Sequence, residues 1–238
     1  MNMRTFNYSG TELDLFLLAK NWKGYWANNI KNFLGKNVLE VGAGIGSNTK
    51  ALSKNKECEW TALEPDLAFC RKMQDDQARG NLPSYVCIQN GTIEKVSRKK
   101  LFDTILYIDV LEHIEDDILE LATAQFCLKV GGRIVIVAPA HNFLFTPFDK
   151  KIGHYRRYDK KMLSKVVPDN CSIEQLKYLD SVGLLASLAN KLILNSDSPT
   201  EKQILFWDRF LVSSSIFLDQ LIKFSLGKSI ICIIKKDF

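Results

Sequence analysis

No apolar stretch of this 238-residue chain approaches the roughly 18 residues a helix needs to cross a bilayer, which excludes a membrane-spanning reading. Arg4, Glu12 and Asp14 interrupt the first segment before the apolar core of a secretion signal could form. Its six cysteines (58, 70, 87, 127, 171 and 232) form no Cys-x-x-Cys pair and have no histidine at zinc spacing. That excludes a metal knuckle and a disulfide framework, and fits reduced thiols in a cytoplasm. Charge is also modest: the net is +5, with Lys and Arg scattered among acids, so no nucleic-acid face is indicated and no DNA partner is expected. Repeats and low-complexity segments are absent. The expectation is a cytoplasmic protein whose only open membrane relation is peripheral contact.

What is present is a long alternation of strand and helix patterns. Apolar residues recur at helical spacing from Thr11 to Leu34, with a break near Asn21–Gly24, and predict an N-terminal arm over residues 1–36. The central segment, 37–138, then reads strand Val38–Val41, helix Ser47–Ser53, strand Trp60–Leu63, helix Asp66–Gln77, strand Tyr85–Gln89 and strand Thr104–Ile108. A helix from Asp116 to Leu128, a turn at Gly131–Gly132 and a strand Arg133–Ala138 complete it. Residues 139–238 hold a long connection to Lys161, a strand Ser172–Leu179, an apolar helical region Val182–Leu226 and a last strand Ser229–Ile234. With 46% hydrophobic residues, this length suits one domain built on a mostly parallel sheet, with ligands at the carboxyl ends of its strands.

The most informative segment is Glu40-Val41-Gly42-Ala43-Gly44-Ile45-Gly46, a strand running into alternating glycines and a helix start. Missing side chains let backbone approach a ligand, and Glu64 of Leu63-Glu64-Pro65-Asp66 ends the next strand, where a carboxylate can accept from ribose hydroxyls. Ser47 stands where a dinucleotide fingerprint needs its third glycine, so nicotinamide and flavin cofactors lose ground.

Together with Phe102-Asp103-Thr104-Ile105-Leu106-Tyr107-Ile108-Asp109-Val110-Leu111-Glu112-His113-Ile114 and Gly131-Gly132, these segments resemble a class I S-adenosylmethionine-dependent methyltransferase. The resemblance covers about residues 37–138 and implies a Rossmann-like seven-stranded sheet with an antiparallel last strand. It implies that Gly42, Gly44 and Gly46 run beside the methionine part of S-adenosyl-L-methionine, with Glu40 behind the loop. It places Glu64, with Pro65 following, at the ribose, Gly91 and Thr92 at the adenine, and Asp109, followed by Val110, near the methionine ammonium. Asp109 also reads as a helix cap, and both roles can coexist. Trp22 and Lys23, just ahead of the first strand, are read either as a cover on the cofactor or as ordinary helix packing.

Methyl transfer starts from an activated donor, so the protein must chiefly hold the acceptor in line and take its proton. The connection after Pro139 carries His141 and then Gly153-His154-Tyr155-Arg156-Arg157-Tyr158-Asp159. His154 or His141 is the expected general base, His113 a structural residue with a smaller claim on chemistry. Tyr155, Arg156, Arg157 and Tyr158 form the expected acceptor contact, the guanidinium forks meeting an anionic group; the competing reading is that they pin the loop to Asp149 or Asp159. This block resembles a bacterial branch that serves surface-glycan and natural-product pathways.

A small, hydroxyl-bearing or anionic acceptor and O-methylation are therefore expected, with no metal assigned. A DNA amino-methyltransferase would need a Pro-Pro-aromatic motif where this chain has Asp109-Val110-Leu111-Glu112. The alternatives are a catalytically silent methyltransferase-like binding subunit and an RNA or protein methyltransferase. Ile204–Phe224, rich in Phe and Leu, reads as a core-covering helix pair, a lid, a membrane-surface contact or the face of a homodimer.

Overall fold

The computed structural model describes residues 15–53, 58–191 and 200–238. The arm before residue 15 and residues 192–199 of the helical region lie outside them. The chain runs α1 (Lys20–Ile30), β1 (Asn37–Val41), α2 (Ser47–Leu52), β2 (Glu59–Glu64), α3 (Leu67–Ala78), β3 (Val86–Asn90), β4 (Phe102–Ile108) and α4 (Asp117–Phe126). It continues through β5 (Leu128–Pro139), α5 (Pro147–Lys151), α6 (Lys160–Lys165), β6 (Cys171–Leu179), α7 (Ser181–Ala189), α8 (Glu201–Phe206), α9 (Val212–Leu221) and β7 (Ser229–Lys236). The strands form one sheet in the order β3-β2-β1-β4-β5-β7-β6. β7 alone runs against the direction of the other six, antiparallel to β5 and β6, as expected.

Alternation along the strands builds two cores. Leu39, Val41, Ile105, Tyr107, Ile134 and Ile136 face one side, while Val38, Trp60, Leu106, Val135 and Val137 face the other with α1 and the insertion between β6 and β7. Each large apolar side chain removed from water stabilises the fold by about 1.5–3 kcal/mol. All six cysteines are free thiols.

Three expectations are corrected. First, α1 runs unbroken through Asn21–Gly24. The carboxylate of Asp208, 187 residues further on, accepts hydrogen bonds from the amides of Asn21 (3.1 Å) and Trp22 (2.8 Å) and so caps the helix from a distant element. Second, Gly131–Gly132 make no turn ahead of a strand. β5 begins at Leu128 and passes through them, its pairing with β4 shifting register between Phe102 and Thr104, with Gly131 at φ +75° absorbing the bulge. Third, the connection 139–161 is not bare: Thr146 and Asp149 form a capping box around Pro147 and start α5.

The insertion is fastened by buried carboxylates. Asp219 accepts from the Asp180 and Ser181 amides (2.7 and 3.0 Å) and from the Tyr25 hydroxyl (2.7 Å). Asp180 takes the Trp207 indole N–H and the Ser215 hydroxyl, both at 2.7 Å. Between α8 and α9 a π-helical turn, Trp207–Leu211, aims Trp207 and Asp208 inward. Phe206, Phe210 and Phe217 remain exposed. Among the described residues no helix is long and apolar enough to cross a membrane.

Candidate active site

The sheet order reverses between β1 and β4, and the loops leaving their carboxyl ends face each other there. Gly42, Gly44 and Gly46 have φ of +66°, +56° and +78°, a path closed to ordinary side chains without strain. A Cβ on Gly42 would lie 2.6 Å from Val110 Cγ2, so the two loops touch at this crevice. The glycine loop is braced from both strands. Glu64 Oε2 accepts from the Gly44 amide (2.7 Å) and its Oε1 from the Asp66 amide (2.8 Å), each oxygen keeping a lone pair. Glu40 Oε2 accepts from Thr49 (2.6 Å) and the Trp60 indole (2.9 Å). Its Oε1 is buried with no hydrogen-bond partner, and burial pushes the carboxyl up to about pKa 7.

Strand ends supply the rest. Gly91 and exposed Thr92 follow β3, and the Gly91 amide donates to the carbonyl of Glu64 (3.0 Å). Pro65 accepts at its carbonyl from Asn90 (3.0 Å). Asp109 follows β4 at φ +53° and His141 follows β5 at φ +63°, both non-glycine residues in the left-handed region, a cost retained at sites that need a particular aim. Asp109 is open to solvent but lies deep among neighbouring atoms. Desolvation lifts its pKa to about 6 against the opposing charges of His154, Lys23 and Lys228.

Lys23 is half-buried with its pKa lowered, first by burial, and the Asp109 charge works against that shift. Trp22 instead packs on Tyr25 and Trp207, fixing the arm to the insertion. Lys228 was not singled out from sequence. It sits just before β7, whose antiparallel course brings Ser229 opposite Pro139 at the site edge, and its ammonium lies 4.4 Å from the centre of the Trp207 ring. The retrievable signal was the expected direction of the last strand.

On the acceptor side, His154 and His113 come together and His141 stands apart from them. The rings of His113 and His154 meet edge to face at 4.6 Å, whereas His141 stacks on Phe143 and Tyr178. Asp149, fully buried, lies 2.9 Å from His154 Nδ1 and receives Arg157 through both Nε (2.8 Å) and a terminal nitrogen (2.9 Å). Burial would raise the Asp149 pKa, but these bonds hold it well below the usual carboxylate range. The ionised Asp149 accepts a hydrogen bond from His154 Nδ1–H, which makes Nε2 the unprotonated nitrogen, 3.9 Å from Oε1 of fully buried Glu112. His113 is lowered to about pKa 4 by burial and then by His154, and its ring donates to the Gly153 carbonyl.

The arginines are committed to acids. Arg156 is paired to Asp117 (2.6 Å) and donates to the Glu115 carbonyl (2.6 Å). Tyr158 is fully buried and donates to Asp117 at 2.7 Å. The expectation that Arg156 or Arg157 meets an anionic acceptor gives way to its competing reading: Arg156, Arg157 and Tyr158 pin the loop, and Tyr155, exposed, is the member of the block left facing outward. Asp149, read from sequence as a pin for the loop, and Glu112, part of the motif after β4, both lie beside His154.

A family model described as a methyltransferase domain matches residues 18–181. The chain belongs to that family. Enzymes of this family use S-adenosylmethionine, and that is the cofactor of this methyltransferase. The positive-φ glycine cradle, the lone pairs left on Glu64 and the unpartnered Glu40 oxygen all suit an adenosyl ligand carrying hydroxyls and an ammonium. A tRNA U34 carboxymethyltransferase of Ruthia magnifica subsp. Calyptogena magnifica is 30% identical over 125 residues, half of this chain. This methyltransferase matches only 39% of that protein's length.

Solved structures agree on the fold. A coclaurine N-methyltransferase bound to N-methylheliamine and S-adenosylhomocysteine has a TM-score of 0.62 at 16% identity, covering 97% of this chain and 75% of that one. A Haemonchus contortus phosphoethanolamine N-methyltransferase 2 also scores 0.62 at 16% identity, covering 100% and 61%. The [4+2]-cyclase SpnF scores 0.61 at 14% identity, covering 90% and 79%, so the shared fold does not by itself specify the reaction.

Proposed function

We propose that this methyltransferase O-methylates a small hydroxyl-bearing acceptor held between the loops after β4 and β5, with His154 as the general base. The observation that carries the reading is a bare imidazole nitrogen between two buried carboxylates, Asp149 behind the ring and Glu112 in front of it. Asp149 fixes the tautomer and orientation. When Nε2 takes the acceptor's proton, the resulting imidazolium lies against the ionised Asp149 already in place, which favours the transfer. The cofactor supplies an activated methyl group. Lys23 and Lys228 flank Asp109 and would receive carboxylate or phosphate groups entering the crevice; Tyr155 would contact the acceptor at the rim. We place His141 as a support of the loop after β5 and Glu40, Glu64, Gly91 and Thr92 as the cofactor's holders.

The test is labelled methyl transfer to a panel of hydroxyl-, amine- and phosphate-bearing small molecules and to tRNA, with His154→Ala run beside the parent. Methylation of a hydroxyl, lost about 10²–10⁴-fold in the variant while S-adenosylhomocysteine affinity is kept, supports the assignment. Unchanged turnover removes His154 from the chemistry. Methylation of amines or tRNA alone overturns the acceptor class.

A further inference from the structure

The helix that crosses the insertion runs unbroken from Glu201 to Leu221, through α8, the π-helical turn and α9. Its inner side is fully engaged. Ile204, Trp207 and Val212 are buried, and the carboxylates of Asp208 and Asp219 turn inward to the amides and the tyrosine hydroxyl they hold. The outer side lacks the polar residues that a water-facing helix side carries. Phe206, Phe210, Phe217 and Leu221 share it at spacings of four, seven and four, with Phe217 70% and Leu221 64% exposed. The Phe206 and Phe210 rings lie 5.3 Å apart between centres. Between the rings stand Ser213 and Ser214, whose hydroxyls donate back to the carbonyls of Arg209 (2.8 Å) and Phe210 (2.9 Å). Those polar groups are satisfied within the helix and need no water, which suits an apolar surrounding. An exposed row of this kind marks an interaction surface.

Charge identifies the occupant. With Asp208 and Asp219 turned inward, the exposed charged residues along and just past the helix are Glu201, Lys202, Arg209 and Lys223, three cations to one acid. The Arg209 guanidinium lies 5.6 Å from the centre of the Phe210 ring, so cation and apolar row belong to one surface. We propose that this helix docks in the plane of an anionic lipid bilayer, its phenylalanines at the acyl boundary and Lys202, Arg209 and Lys223 at headgroup phosphates. A second copy of the chain fits less well. An antiparallel self-contact centred on Ser213 would set Lys202 of each copy toward Lys223 of the other, like charges at both ends. The proposal goes beyond the methyl-transfer reading and does not depend on it. The same helix carries Trp207 against Lys228 at the edge of the crevice, so the docking element is continuous with the site's border.

The experiment is cosedimentation of the intact protein with sucrose-loaded vesicles, either phosphatidylcholine alone or equimolar phosphatidylcholine and phosphatidylglycerol. Sedimentation with the anionic vesicles, weaker with the neutral ones and released by high salt, is expected. A half-exposed phenylalanine leaving water changes partitioning about threefold to tenfold, so Phe206→Ser, Phe210→Ser and Phe217→Ser combined should weaken binding at least about thirtyfold. Arg209→Gln should weaken it about fivefold on anionic vesicles and leave the neutral ones unchanged. Melting curves and calorimetry with S-adenosylhomocysteine should match the parent and so establish that the variants fold. Should the triple variant fail to fold, Phe217→Ser and Arg209→Gln alone decide, by the same fold-changes. No sedimentation of the folded parent with anionic vesicles, equal binding to both vesicles, or parent-like binding by the folded variants overturns the proposal. A dimer in sedimentation equilibrium that the phenylalanine substitutions dissolve overturns it as well, in favour of a second copy.

Discussion

Gly42→Ala tests the crevice between the β1 and β4 loops directly. The methyl group would be forced to φ +66° and would sit 2.6 Å from Val110 Cγ2 and 3.0 Å from Cγ1. The backbone part of this costs about 1–2 kcal/mol in the left-handed region, and the steric part adds about 1–3 kcal/mol, the range for overpacking. Both act on the glycine loop, so S-adenosylhomocysteine affinity should fall at least tenfold while the sheet still melts cooperatively. The two parts separate in a double-mutant cycle. Val110→Ala removes both offending methyl groups and leaves only Cβ, 3.4 Å away, an ordinary contact. The double variant should therefore regain the steric share and keep the backbone penalty. Calorimetry gives the affinities and thermal melting the stabilities. Additivity of the two substitutions, with no recovery in the pair, would refute the claim that these loops meet at Gly42 and Val110.

Three further outcomes are expected. Glu40 binds its proton more tightly folded (pKa about 7) than unfolded (about 4.5), so its contribution to stability is full below about pH 4.5 and is lost as pH rises through 7. The loss amounts to about 3 kcal/mol. Glu40→Gln in the cofactor-free protein should accordingly gain melting temperature relative to the parent between pH 5 and pH 8, and a constant difference across that window would count against a raised Glu40. Asp208→Ala removes the distant cap of α1 and should cost about 2 kcal/mol, or roughly 4–8 °C in Tm; an unchanged melt would show that the arm does not depend on it. Lys23→Ala should weaken cofactor binding at least about tenfold, the size of one charge-assisted bond, and equal affinity would assign the lysine to packing.

The strand and helix succession was legible because it rests on local period: Val38–Val41, Trp60–Leu63 and Thr104–Ile108 declare buried strands through continuous apolar runs. The cofactor side was legible for a related reason, since glycines at positive φ and a strand-end carboxylate are needed at fixed short spacings. What escaped depends on partners far away in sequence. Asn21–Gly24 looks like a helix break until Asp208 is brought against it. Arg156 and Arg157 look like free forks until Asp117 and Asp149 take them. Glu112 stands in the motif after β4, and the burial of both its oxygens without a hydrogen-bond partner emerges only in three dimensions. The capping box from Thr146 to Asp149, by contrast, was local and could have been read.

The distant cap on α1 has a mechanical corollary. Because that helix starts on a carboxylate owned by the π-helical turn, the perch of Lys23 is set by a segment more than 180 residues downstream. Any guest that tilts the turn must drag the ammonium with it, so the two ends of the crevice report on each other through a single aspartate.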